Sequence, residues 1–172
     1  MRSAAKIISI PLAAQLAAQA RAAGATVGLC HGCFDVLHAG HVYHFDQAAR
    51  RVDLLVASIT PARYVGKDEG RPIFDDEARL AVVGALAAVD FVLLNDAPTS
   101  ADLIRRLRPH VYFKGADYGD GTDPRLAEEL AALREAGGEF VVTDGRVFDS
   151  STRVASVLLG AGRPAGTTDA TG

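Results

Sequence analysis

Apolar positions along this chain alternate between two spacings. Residues 25–30 (ATVGLC), 53–59 (DLLVASI), 89–94 (VDFVLL), 110–113 (HVYF) and 139–143 (EFVVT) are short and nearly continuously apolar. Such runs predict buried strands. Between them the apolar residues recur at three and four. That spacing predicts helices over about 39–50, over 74–86 with Leu80, Val83 and Leu86 on one face, and from a Thr99 or Ser100 cap to Leu107. A further helix opens at Asp123 and Pro124 and closes at Gly137 and Gly138. An amphipathic helix leads the chain as far as Arg21, with Pro11 and Gln15 interrupting its apolar run, and a last one is expected over 152–159 behind Ser150 or Ser151. Residues 60–72 show no period and hold Pro61, Gly66, Gly70 and Pro72, so a mobile loop is expected there.

Strands that alternate with helices predict an α/β fold: a Rossmann-like, doubly wound, parallel five-stranded sheet with helices on both faces. Crossovers should be right-handed, and ligands should bind beyond the carboxyl ends of the strands, where the winding reverses. One domain is expected over 1–159, followed by a Gly/Thr/Ala-rich tail over 160–172 that is expected to be disordered.

Charge narrows the choice of partner. A formal net charge of -3 argues against a protein that follows a nucleic-acid backbone, so any anion site must be local. The amino-terminal stretch reads as a helix and not a signal peptide, and no run approaches the roughly 20 apolar residues of a membrane span. A cytoplasmic protein with no membrane partner is the expectation. Two cysteines, Cys30 and Cys33, make no disulfide framework. Their C-x-x-C spacing leaves a thiol or zinc protein open, with His31, His38, His41 or His44 as further ligands. A strand cysteine beside a turn cysteine is the plainer account.

Residues 32–41, GCFDVLHAGH, join the first strand to the next helix. A glycine-bearing turn at such a junction exposes backbone N–H groups and the positive end of the helix dipole, which suits an anion. His38 and His41 lie one turn apart at the helix start, and Gly40 between them lets a ligand approach the backbone. Gly32, Phe34, Asp35, His38, Gly40 and His41 together resemble the GxFD…HxGH signature of the cytidylyltransferase-like nucleotidyltransferases. The loop KDEGRP (67–72), Glu77 and Arg79, KGADY (114–118) and SSTR (150–153) resemble the heptose 1-phosphate adenylyltransferase branch. Cys30 departs from the threonine of many members, and Ser58, Ile59 and Thr60 depart from the branch's residues after the second strand.

The resemblance implies strand order 3-2-1-4-5, a homodimer, and transfer of a nucleoside monophosphate from ATP or CTP to a small phosphorylated sugar, polyol or phosphonate. It makes His38, His41 and Lys67 the catalytic residues. It places Gly32, Cys33, Phe34, Asp35, Gly40, Arg79, Lys114, Gly115, Asp117, Ser151, Thr152 and Arg153 around the nucleotide. Magnesium would arrive with the triphosphate, with Asp35 as the nearest carboxylate. An ionised acceptor phosphate needs no general base; it needs cations and N–H donors where charge spreads. His38 and His41 offer donors, Lys67 a point charge, Arg153 a fork, and the N–H groups near Ser151 and Thr152 a helix-start anion site. A CTP-using enzyme of the glycerol-3-phosphate cytidylyltransferase type stays open, as does a non-catalytic nucleotide-binding module. Lys114 and Asp117 could be plain turn residues, Glu77 a solvated or capping one, and Tyr43, His44 and His110 packing or surface residues.

Overall fold

A computed structural model describes residues 2–65, 70–116 and 123–144. The strands are β1 (Val27–Gly32), β2 (Leu54–Ile59), β3 (Phe91–Leu94), β4 (Val111–Lys114) and β5 (Glu139–Val142). They form one parallel sheet in the order β3-β2-β1-β4-β5, as expected. The winding reverses between β1 and β4, which puts the ligand crevice at their carboxyl ends. The helices are α1 (Ile10–Ala22), α2 (Ala39–Ala49), α3 (Asp76–Gly84), α4 (Ala101–Leu107) and α5 (Pro124–Ala136).

The pleat sorts the strand residues between two layers. Val27, Leu29, Val56, Leu93 and Tyr112 pack with Ala13 and Ala17 of α1, Leu103, Ile104 and Leu107 of α4, and Leu133 of α5. Cys30, Leu55, Ala57, Ile59 and Phe113 pack with Phe45 and Ala48 of α2 and Val83 of α3. Each fully buried leucine or phenylalanine contributes about 1.5–3 kcal/mol.

Several element ends differ from the sequence expectation, three of them for a plain local reason. The leading helix, α1, begins only at Ile10, behind the Ser9 cap, with Pro11 in its first turn, where a missing N–H costs nothing. The chain before it forms a 3-10 turn, and Ile7 bridges to Val92 at the sheet edge. The third helix starts two residues late because Asp75 caps it, its side chain accepting from the Ala78 N–H. Strand β1 runs two residues further than its apolar stretch, through His31 and Gly32. At the end of α5, Gly137 takes φ 77°, the left-handed cap that a side chain would strain. The segment 66–69 and the expected last helix over 152–159 lie outside the described residues, as does the tail over 160–172.

Candidate functional site

Beyond β1 the chain makes a tight, strained turn. Phe34 sits at φ 47°, a left-handed conformation rare for a bulky residue. Its ring is held by Phe45, 4.9 Å between centroids, and meets the edge of His41 at 5.7 Å. The same ring folds back over Gly32, where a Cβ would stand only 3.1 Å from it. A side chain at position 32 would therefore press on that ring, which would have to give by a few tenths of an ångström.

The two histidines form the start of α2. His38 is the N-cap, with φ -138° and ψ 173°. Its Nδ1 accepts from the Gly40 N–H at 3.1 Å, and His41 Nδ1 accepts from the His38 N–H at 3.4 Å. This is a capping box built from two imidazoles. In a neutral ring whose Nδ1 accepts, the proton resides on Nε2. Both rings thus carry an Nε2–H donor at a helix N-terminus. The rings lie 4.1 Å apart between centroids, and both are half-buried.

Asp35 and Arg79 hold the turn from below. Asp35 accepts from the Ile73 N–H at 2.9 Å and the Phe74 N–H at 3.0 Å, and pairs with Arg71 Nε at 2.9 Å. Both side chains of that pair are buried. Arg79 is 1% exposed. It donates to the Cys33 carbonyl at 2.7 Å, the Thr60 carbonyl at 2.8 Å and the Phe74 carbonyl at 3.2 Å, and pairs with Asp76. The structure therefore places Arg79 under the turn, joining the ends of β1 and β2 to the start of α3. Glu77 is exposed in the first turn of α3.

These contacts bear on magnesium. The oxygens of Asp35 are occupied by two N–H groups and a guanidinium, and a cation there would have to displace Arg71. No group of three or more His, Cys, Asp or Glu among the described residues could hold a metal ion. A protein-held magnesium ion does not fit Asp35 as it stands. Cys30 is wholly buried inside β1, and burial pushes its thiol pKa upward. Cys33 lies in the turn, six residues before α2 begins, and its carbonyl accepts from Arg79.

On the other face of the sheet the strands end in a buried polar row. His31, Ser58 and Lys114 follow Leu29, Val56 and Tyr112 by two residues and share their face. His31 stands opposite Ser58 in register, and its Nδ1 lies 3.0 Å from the Ser58 Oγ. Its Nε2 lies 3.3 Å from Thr60 Oγ1. Lys114 Nζ pairs with Glu129 of α5 at 3.1 Å and donates to the His31 carbonyl at 3.3 Å. Glu129 also accepts from the Tyr112 hydroxyl at 2.8 Å and the Ser100 N–H at 3.0 Å. Burial first, then the Lys114 charge, push His31 down to about 3, against the pull of Glu129. It is therefore a neutral ring at neutral pH. Burial alone would raise the Glu129 carboxyl, but the Lys114 charge and the two donors outweigh it and hold it below its ordinary value.

The expected site residues thus divide. Gly32, Cys33, Phe34, Asp35, His38, Gly40 and His41 gather at the β1–α2 turn, with Arg79 beneath it. Lys114 and Gly115 end β4, on the other side of the crevice, with Gly115 in open space. Lys67, Asp117, Ser151, Thr152 and Arg153 lie outside the described residues. Sequence reasoning missed Glu129, since a glutamate on an amphipathic helix carries no local signal of burial. His44, expected to be a packing or surface residue, is buried, with Nδ1 2.7 Å from Thr143 Oγ1.

Comparison with known proteins agrees with this geometry. A family model described as Cytidylyltransferase-like matches residues 29–157. The Bifunctional protein HldE of Gluconobacter oxydans is 36% identical over 150 residues, 86% of this chain and 30% of that protein. Its namesake in Hyphomonas neptunium is 43% identical over 136 residues, 78% of this chain and 27% of that one. Among solved structures, the lipopolysaccharide core biosynthesis protein from Thermoplasma volcanium superposes with a TM-score of 0.58 at 26% identity, over 70% of this chain and 98% of the other. The chain belongs to the cytidylyltransferase-like family, whose class is that of the nucleotidyltransferase enzymes. It spans less than a third of the length of the two HldE proteins it resembles. No described helix is long and apolar enough to cross a membrane.

Proposed function

We propose that this chain transfers a nucleoside monophosphate from ATP or CTP to a small phosphorylated sugar, polyol or phosphonate, releasing pyrophosphate, with adenylyl transfer to a sugar phosphate favoured. The observation that carries the reading is the two-histidine capping box. It presents Nε2–H donors and a helix N-terminus together at the switch point, where a polyanion is best held. An oxygen of the acceptor phosphate attacks the α-phosphorus. The new P–O bond forms as the bond to the β-phosphate oxygen breaks, and that electron pair leaves with pyrophosphate. His38 and His41 stabilise the charge that gathers on the phosphates without changing protonation state. Asp35 and Arg79 act by fixing the turn that aims them. Lys67, Arg153 and the N–H groups near Ser151 and Thr152 complete the cation set, and Gly115 and Asp117 face the nucleotide, whereas Lys114, expected beside them, is buried against Glu129. Magnesium enters with the triphosphate and is carried by its phosphates.

The adenylyl preference rests on the KGADY and Arg71-Pro72 segments and on the likeness to the HldE proteins. Cytidylyl transfer is the second reading, favoured by the matched family's description. A homodimer belongs to the proposal on the resemblance alone. The test is a screen of the four ribonucleoside triphosphates against phosphorylated sugars and polyols, read by pyrophosphate release. Release that requires both a triphosphate and a phosphorylated acceptor is expected. Steady hydrolysis without acceptor, and no response to any acceptor, would count against a transferase.

A further inference from the structure

The α4–α5 side of the crevice holds an ion pair that the reaction as written does not use. Lys114 and Glu129 are 4% and 2% exposed, and their charged atoms meet at 3.1 Å. A buried pair of this kind is a poor stabilising device, because desolvating two charges consumes most of their attraction. Its position is informative for that reason. Two residues earlier, the same face of the same strands carries Leu29, Val56 and Tyr112, all in the apolar layer. Polar residues replace that layer only at the last rung, directly under the switch point. Every polar atom of Glu129 is engaged there: Oε1 by the Ser100 N–H and Oε2 by the Tyr112 hydroxyl and Lys114. Lys114 then holds the carbonyl of His31, the residue before Gly32 and the strained turn.

We propose that Glu129 is a positioning residue of the nucleotide site: its carboxylate sets where the Lys114 ammonium sits, and Lys114 holds the end of β1 from which the Gly32–His41 turn springs. This rests on the nucleotidyltransferase reading. Three features make Glu129 suited to the task. It reaches Lys114 from a different element, so it fixes α5 against β4 and β1 together. Ser100 and Tyr112 leave its carboxylate little freedom to rotate. Its negative charge also lies 3.1 Å from the buried Lys114 ammonium, where the attraction is little screened by water. Glu129→Gln keeps the shape, but it sets an amide NH2 either against the Lys114 ammonium or against the Ser100 N–H, and it removes the charge that draws Lys114.

Calorimetric titration with MgATP and MgCTP tests this on four proteins: wild type, Glu129→Gln, Lys114→Met, and the double variant. Melting curves confirm that each is folded. The double variant removes both charges and should fold even if Glu129→Gln does not. Glu129→Gln should weaken binding of the preferred nucleotide roughly tenfold, as loss of a charge-assisted contact does. In the Lys114→Met background the same change should alter binding by no more than about twofold. A structural role alone would lower the melting temperature and leave the dissociation constant of the folded protein unmoved. If Glu129→Gln binds as wild type does, or if its effect persists in full beside Lys114→Met, the inference is overturned. If Glu129→Gln does not fold, the comparison of Lys114→Met with the double variant decides: a further loss of binding beyond about twofold overturns it. A wild-type protein that binds neither nucleotide and releases no pyrophosphate overturns the nucleotidyltransferase reading itself.

Discussion

On the α2–α3 side of the crevice, the candidate site is built from the single stretch 32–41. On the α4–α5 side a buried polar row beneath the strand ends comes from four elements: His31 of β1, Ser58 of β2, Lys114 of β4 and Glu129 of α5. The first side is shaped by local bonds. A cap spans three residues, a strained phenylalanine covers its own glycine, and two imidazoles are oriented by the first N–H groups of α2. The second side is shaped by long-range bonds, such as Ser100 to Glu129 and Lys114 to His31. Local geometry can present donors, but it leaves the turn free to drift relative to the sheet. Arg79 on one side and Glu129 on the other supply the missing reference, each joining helix to strand ends. Orientation in the site is therefore carried by side chains that need not touch a ligand.

Removing Arg79 should break this arrangement most severely. Arg79→Met leaves the Cys33 and Thr60 carbonyls without their buried donor and Asp76 with the Ala62 N–H but no cation. A loss of about 3–5 kcal/mol is expected, the range for deleting one member of a buried pair. Denaturant unfolding measures it; a loss under about 1 kcal/mol, the scale of a surface pair, would show that the turn holds itself.

The histidines come next, and they separate capping from chemistry. His38→Ala should lower turnover by roughly 10²–10³ and also cost about 0.5–2 kcal/mol as a lost N-cap. His38→Asn restores an acceptor for the Gly40 N–H but offers no imidazole donor. It should melt like wild type and remain as slow as the alanine variant. An asparagine variant with wild-type turnover would reduce the histidine to a cap.

Acid probes the long-range side. Below pH 6.5 the unfolded chain takes up a proton on His31, while the native ring refuses one until about pH 3. Acidification through this window therefore favours unfolding. The lowered carboxyl of Glu129 acts with the same sign, its contribution being lost as pH falls. The melting temperature should fall from pH 6.5 toward pH 3, and less steeply in His31→Gln. A ring titration by NMR with its midpoint near 6.5 would contradict the buried, neutral histidine.

What could be read from the sequence follows the same division. Alternating strands and helices, the Asp123-Pro124 and Gly137 helix ends, and HxGH at a strand-to-helix junction are signals within a few residues, and the structure carries each of them. The partners of Lys114 could not be read that way. Nothing near Glu129 in sequence distinguishes it from the exposed Glu128 beside it; only the packing of α5 on the sheet buries one and not the other. Arg79 was expected to face the nucleotide and lies instead under the turn, because its depth depends on how α3 seats against β2.

The smallest effect should come from the thiols. Cys30→Ser with Cys33→Ser should keep most of the turnover, since neither sulfur faces a phosphate in this reading. Cys30→Ser should cost about 1–3 kcal/mol of stability, because it places a hydroxyl in an apolar layer. Activity that disappears from the folded double variant would reopen a thiol or metal role.

The central claim is that the capping histidines serve attack on the α-phosphorus. Wild type and His41→Ala should be given ATP or CTP labelled at the α-phosphate, together with the phosphorylated acceptor found by screening. The account predicts that the label moves into the acceptor, one pyrophosphate for each transfer, and that His41→Ala slows this by roughly 10²–10³ while remaining folded. Label left in the nucleoside diphosphate, or a His41→Ala enzyme that transfers at the wild-type rate, would contradict it.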